Sequence, residues 1–191
     1  MKVKMKFYIV LLNLLFLFTA VDAQPVLQYL HEGWSFRQAR GTNWYEATVP
    51  GTVHTDLMNN KLIDDPFYRL NERGVQWVDK EDWIYRTTFD VAPELLAKRN
   101  IVLHFEGLDT YADVTLNGKK VLAADNMFRE WQADVRSLLK EHGNELQVYL
   151  HSPIKVAMPK WEAVPFQYRS SNDQSENAGE ILWSTDYTGK R

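Results

Sequence analysis

The chain should fold as an all-β domain, an antiparallel β-sandwich of the jelly-roll type with short helical turns; an immunoglobulin-like sandwich is the alternative. Three features point there. Several segments alternate apolar and polar residues with the period of two that a half-buried strand requires. Asn117-Gly118 stands between two of them, and every helical pattern is too short to form a packing layer.

In chain order, Val49-Pro50-Gly51 breaks a preceding strand, and a helical turn is expected over Thr55 to Lys61. Trp83, Tyr85, Thr87 and Phe89 then share one face of a strand. Pro93 to Arg99 opens with Pro and an acid and closes with bases, the polarity of one or two helical turns. The apolar run Ile101 to Phe105 predicts a central strand. Ala112 to Leu116 alternates, turns at Asn117-Gly118 and returns as Lys119 to Leu122. Such a hairpin needs a type I′ turn with positive φ at both central residues, which Asn and Gly tolerate best. Asp134 can cap a turn over Val135 to Glu141 that Gly143 ends. Leu146, Val148 and Leu150, alternating with Gln147, Tyr149 and His151, make the last strand.

Ahead of these, Lys2, Lys4 and Lys6 precede an apolar run from Phe7 to Phe18 broken only by Asn13, and Val21-Asp22-Ala23 follows. That is the pattern of a secretory signal peptide over residues 1–23, its apolar stretch shorter than the ~20 residues that cross a bilayer. Cleavage is expected before Gln24, with export to a periplasm or the extracellular space. The sandwich domain would span 24–170. Residues 171–191 would form a polar tail, and Gln167 to Asn177 has no apolar periodicity and should be mobile.

Composition removes several function classes. The 191 residues hold 22 Lys+Arg against 25 Asp+Glu, interspersed, so no basic stripe invites nucleic acid or an anionic membrane. Without Cys there is neither thiol chemistry nor a disulfide, and burial must carry the fold. His31, His54, His104, His142 and His151 lack close ligand spacing, so no metal site is expected. Gly-rich phosphate loops and a nucleophile-elbow serine are absent too, and no cofactor is implied. Trp34, Trp44, Trp83 and Trp131 lie at or beside strand patterns and read as core or interface residues; His54 reads as part of a turn. Asp64-Asp65 and Glu81-Asp82 read as loop charges or caps.

A longer string is more specific. Trp44 to Leu57, containing Val49-Pro50-Gly51-Thr52-Val53-His54-Thr55-Asp56-Leu57, resembles the entry segment of β-mannosidases of glycoside hydrolase family 2. Asp65 to Glu72, Gln76-Trp77-Val78 and Asp82-Trp83-Ile84-Tyr85 follow in that family's order, as do Phe105 to Ala112, Leu116-Asn117-Gly118 and Asp125-Asn126-Met127-Phe128. The resemblance covers roughly Trp34 to Gly179 and implies the N-terminal sugar-binding-type, galactose-binding-domain-like jelly roll. After Gly179 the residues depart from the family, whose next segment carries an aspartate that reaches the sugar. The expectation is a longer enzyme cut short by a shifted reading frame or a gene-model error.

A retaining glycosidase needs two carboxyl groups about 5–5.5 Å apart. In the resembled family both are glutamates on a later (β/α)8 barrel, which would itself need about 250 residues, so no catalytic residue is assigned to this chain. What the resemblance does place near substrate is the loop after the hairpin, with Asp125, Asn126 and Phe128. An amide and a carboxylate suit sugar hydroxyls and an aromatic face suits the C–H side of a pyranose. The structural alternative is a plain turn at Asp125-Asn126 with Phe128 as a core anchor. Asn71 and Trp77 lie in a segment that would run beside the barrel, where inter-domain packing is the alternative. The implied partners are a β-mannoside or manno-oligosaccharide and the barrel and sandwich domains of the parent enzyme. A free-standing carbohydrate-binding module is the competing function. Detached from its partners, the domain should expose apolar surface between Pro66 and Trp77 and self-associate.

Overall fold

The computed structural model describes residues 25–165. The leader over 1–23 and the tail over 171–191 lie outside them. In chain order the strands are β1 (Ser35–Gln38), β2 (Tyr45–Glu46), β3 (Trp83–Phe89), β4 (Val102–Phe105), β5 (Ala112–Leu116), β6 (Lys119–Ala124), β7 (Trp131–Asp134) and β8 (Asn144–Leu150). Three short helices accompany them: α1 (Val53–Asn59), α2 (Pro93–Leu96) and α3 (Pro153–Glu162). Two 3-10 turns, Asn71–Val75 and Val78–Lys80, precede β3. Six strands form an antiparallel sheet in the order β2-β1-β3-β8-β5-β6, and β4 pairs with β7 in a second, two-stranded sheet. The result is an all-β sandwich, as the period-two segments require.

Register explains which side chains are inside. Tyr45, Phe36, Tyr85, Val148, Val114 and Leu122 are successive cross-strand partners over all six strands. This row lies on the face turned to the core. Phe36 and Val114 are fully buried. The Phe36 ring sits 5.5 Å from Tyr85, 5.9 Å from Trp83 and 6.1 Å from Tyr45, the spacing at which aromatic rings gain beyond mere burial. Trp34 and Trp83 are buried and donate their indole N–H to Leu30 O and Val78 O. The neighbouring row, Ser35, Arg86, Gln147, Thr115 and Lys120, is polar and faces outward.

The hairpin turn is as expected: Asn117 (φ 51°) and Gly118 (φ 78°) both take positive φ. Three expectations need correction. The strand at Ile101 to Phe105 is not central. It begins at Val102 and pairs with β7 alone, with Val102 and His104 exposed and Leu103 and Phe105 half-buried. A mostly apolar run hid that alternation. No helix follows Asp134; its carboxylate accepts from Arg136 N at 3.0 Å, and the chain makes single turns back to Val135 O before buried Asn144 takes over the polar groups of Lys140. The helix expected from Thr55 starts earlier, at Val53, because Thr52 and Thr55 form a reciprocal capping box. His54 lies on it and is buried.

Candidate functional site

Trp83, Leu150, Ala112 and Ala124 form one cross-strand row near one end of the larger sheet. The chain entering β3 from Trp77 and the chain leaving β6 at Asp125 therefore both lie off that end. They are separated by three strand spacings, about 14 Å. This topology brings both groups of sequence-predicted site residues to the same rim, although Asn71 and Trp77 belong to one feature and Asp125, Asn126 and Phe128 to another.

The second feature is an exposed loop. Asn126 Oδ1 accepts from Phe128 N at 2.8 Å, closing an Asx turn, and Asn126 O accepts from Trp131 Nε1 at 3.0 Å. Thr110 Oγ1 donates to Met127 Sδ at 3.8 Å, holding the loop to the one before β5. Asp125-Asn126 is thus a turn, but Phe128 is no core anchor: its residue surface is 87% exposed. Asp125 is exposed beside it.

The first feature is an open groove of about 440 Å³ whose lining includes Ile63, Asp64, Leu70, Asn71, Val75 and Trp77. Asn71 Nδ2 donates to Asp65 O at 2.9 Å, so that part of its amide shapes the loop while its side-chain carbonyl makes no hydrogen bond among the described residues. Trp77 packs on Trp83 at 5.9 Å and keeps an edge in solvent. The rim is apolar. Phe67, 81% exposed, Tyr68, Leu70 and Trp77 give the surface expected between Pro66 and Trp77, although Pro66 itself is buried, and Leu62 adds to it from just before that span.

Two carboxylates whose bonding the sequence reading did not foresee hold this end in shape. Asp56, on α1 and buried, accepts from Thr48 N at 2.9 Å and from Tyr85 Oη at 2.8 Å. Burial raises its carboxyl above the ordinary range against those two bonds, and burial together with Asp56 raises the Tyr85 phenol. Asp82 does more than a loop charge. Its carboxylate accepts from Ser152 N at 2.7 Å, Tyr149 Oη at 3.1 Å and Lys155 Nζ at 3.3 Å, tying β3 to β8 and to the start of α3. Partial burial pushes that carboxyl up, and the three donors outweigh it, leaving it below the usual carboxylate value. Only the three-dimensional return of β8 beside β3 reveals either role. Trp44 is likewise no core residue: it is half-buried on the outer face beneath two arginines.

Among the described residues, no group of three or more His, Asp or Glu is placed to hold a metal ion, and no helix is long and apolar enough to cross a membrane. The exposed aromatics have a measurable consequence. Replacing Phe67 and Phe128 together by Ser should leave stability within about 0.5 kcal/mol, because neither side chain is buried. It should also shift the sedimentation profile toward monomer at micromolar concentration. Unchanged self-association in the double variant would mean that this rim does not drive it.

Residues 34–182 match the family described as glycosyl hydrolase 2 galactose-binding domain-like. β-Mannosidase B of Thermothelomyces thermophilus is 44% identical over 133 residues, 68% of this chain and 15% of that protein. The β-mannosidase of Bos taurus is 34% identical over 133 residues, 70% of this chain and 15% of that protein. In three dimensions the chain is similar to the β-D-mannosidase of Dictyoglomus thermophilum, with a TM-score of 0.72 and 45% identity over 80% of this chain and 19% of that one. The chain thus spans less than a fifth of the length of each relative named.

Proposed function

The chain belongs to the glycosyl hydrolase 2 galactose-binding domain-like family, and from that premise we propose that it is the non-catalytic N-terminal part of an exported β-mannosidase-like glycoside hydrolase that acts on terminal β-D-mannosides. The observation that carries the reading is the rim at one end of the larger sheet. There Leu70 and Trp77 leave apolar surface uncovered in the groove that holds Asn71, Phe67 and Tyr68 are exposed just before it in the chain, and Phe128 is exposed on the loop after β6. A self-sufficient domain of this size seldom leaves so many aromatic and aliphatic side chains open on one rim, whereas a domain that packs on a barrel and neighbouring sandwiches uses them. Asp125, Asn126 and Phe128 on the adjacent loop are then the groups set to reach the sugar from this side.

Purified as the 191-residue chain, the protein should release no aryl alcohol from an aryl β-mannoside and give no saturable heat with mannose or manno-oligosaccharides in titration calorimetry. Turnover by the chain alone would overturn the non-catalytic assignment. Saturable binding without turnover would instead establish a free-standing carbohydrate-binding module. Export has its own test: the mature protein should begin at Gln24 when its N-terminus is sequenced.

A further inference from the structure

The outer face of the six-stranded sheet, away from the groove, carries an arrangement that the proposed function does not use. Arg37 donates through Nη1 to Gln38 O, Ala39 O and Gly41 O at 3.1, 2.6 and 2.8 Å, pinning the turn between β1 and β2. That turn delivers Trp44 onto the sheet. The Arg37 guanidinium lies 5.0 Å from the indole centroid, and the Arg86 guanidinium stacks on it at 3.8 Å. Neither arginine forms an ion pair among the described residues. Arg86 also makes no side-chain hydrogen bond there, so its edge N–H groups are uncommitted. Glu46 stands two strands from Arg86 in the same row, about 10 Å away between backbones, and forms no ion pair with it. Asp82, the carboxylate bonded to Tyr149 on this face, is spent on Ser152, Tyr149 and Lys155. Asp113 is held by Lys120 and His151, and Glu145, two residues from Gln147 on this face, is exposed at the sheet's far end.

A guanidinium whose flat face is fixed on an indole presents its N–H edge as a rigid fork, the geometry that takes a carboxylate by two parallel hydrogen bonds. Being half-buried, Arg86 also meets less screening than a free surface arginine. Its direct partners in the row are neutral. Ser35 and Gln147 are its direct cross-strand partners and Thr115 comes next, all half-buried on this face and none with a side-chain hydrogen bond among the described residues. A fork for one carboxylate beside a line of hydroxyl and amide groups matches a sugar acid, whose carboxylate and ring hydroxyls stand side by side. We propose that Arg86, fixed on Trp44 and flanked by Ser35 and Gln147, binds the carboxylate of an acidic saccharide, a hexuronate.

The test is titration calorimetry of the full chain with methyl β-glucuronide, methyl β-glucoside and acetate. The glucuronide should bind saturably and weaken with ionic strength, while the neutral glucoside gives no signal. Arg86→Gln should weaken glucuronide binding about tenfold or more. Gln147→Ala, which leaves the stacked arginine in place, should weaken the glucuronide but not acetate, and near-UV circular dichroism checks that both variants fold. Equal binding of glucuronide and glucoside, or no effect of Arg86→Gln in a folded variant, would overturn the site. Acetate binding as well as the glucuronide would overturn the saccharide assignment and point to carboxylate side chains of a protein. None of these outcomes depends on whether the chain serves a β-mannosidase, since no probe is a mannoside.

Discussion

Asp56→Ala is expected to lower the free energy of unfolding by about 3–5 kcal/mol, read from the urea midpoint at neutral pH with an unchanged slope. The reason is what the carboxylate leaves behind. The Tyr85 hydroxyl, on a buried ring stacked against Phe36, and the Thr48 N–H both lose their acceptor, and each stranded donor costs about 1–3 kcal/mol. The damage should spread to the candidate site. Thr48 leads into Val49-Pro50-Gly51, and α1 is capped by Asn60, whose side chain donates to Glu46 O and Asp56 O just before the groove begins at Lys61. Asp56→Asn separates charge from hydrogen bonding, since the amide can still accept from Thr48 N. Burial raises the Asp56 carboxyl, so the folded protein holds that proton more tightly than the unfolded chain. That preference favours the fold below the ordinary carboxylate value and is lost as pH rises through the folded-state one. The Asn variant has no such proton. Its stability relative to the natural chain should therefore improve from acid toward neutral pH, and a constant or declining difference would show that burial of the charge is not the governing cost.

What could be read without coordinates, and what could not, follows the range of the interaction concerned. Alternation in β3, β5 and β8 and the Asn117-Gly118 turn are local, set by side-chain period and by φ, and they appear where expected. The misplacement of β4 has a local cause as well. Ile101 to Phe105 looks like a strand buried on both faces, yet Val102 and His104 point to solvent in a two-stranded sheet. The bonds of Asp82, read as a loop charge or cap, and of Asp56 were not legible because their partners lie 70 and 29 positions along the chain, Ser152 and Tyr85 respectively, and no spacing rule reaches that far. The candidate site divides in the same way. Asn71, Trp77, Asp125, Asn126 and Phe128 came from a resemblance, and their common position at one end of the sheet follows from the Trp83, Leu150, Ala112, Ala124 row. The Arg86 and Trp44 stack had no sequence signal at all, because it depends on Arg37 folding the preceding turn back.

Asn144→Ala should cost about 4 kcal/mol, although the residue carries no signal beyond a polar start to a strand. Asn144 is fully buried. Its Oδ1 accepts from Lys140 N at 2.9 Å and from Asn117 Nδ2 at 3.0 Å, while its Nδ2 donates to Lys140 O at 2.7 Å and Phe89 O at 3.3 Å. Four groups from three distant segments lose a partner at once, and a half-satisfied buried network is worse than none. Asn117 extends the same network: it donates to Leu138 O at 2.8 Å and accepts from Glu145 N at 3.0 Å, so the residue that makes the hairpin turn also fastens it to β8. The two substitutions should therefore not add. Asn117→Ala alone loses both the positive-φ tolerance of the turn and these bonds, at about 2–3 kcal/mol. The double variant should be at least about 1 kcal/mol more stable than the sum of the single losses implies, because the Asn117–Asn144 bond can be removed only once. Strict additivity in a denaturant-melt cycle would mean that the hairpin and β8 are held independently, and that the chain from Asp134 to Asn144 owes its shape to something other than these two amides.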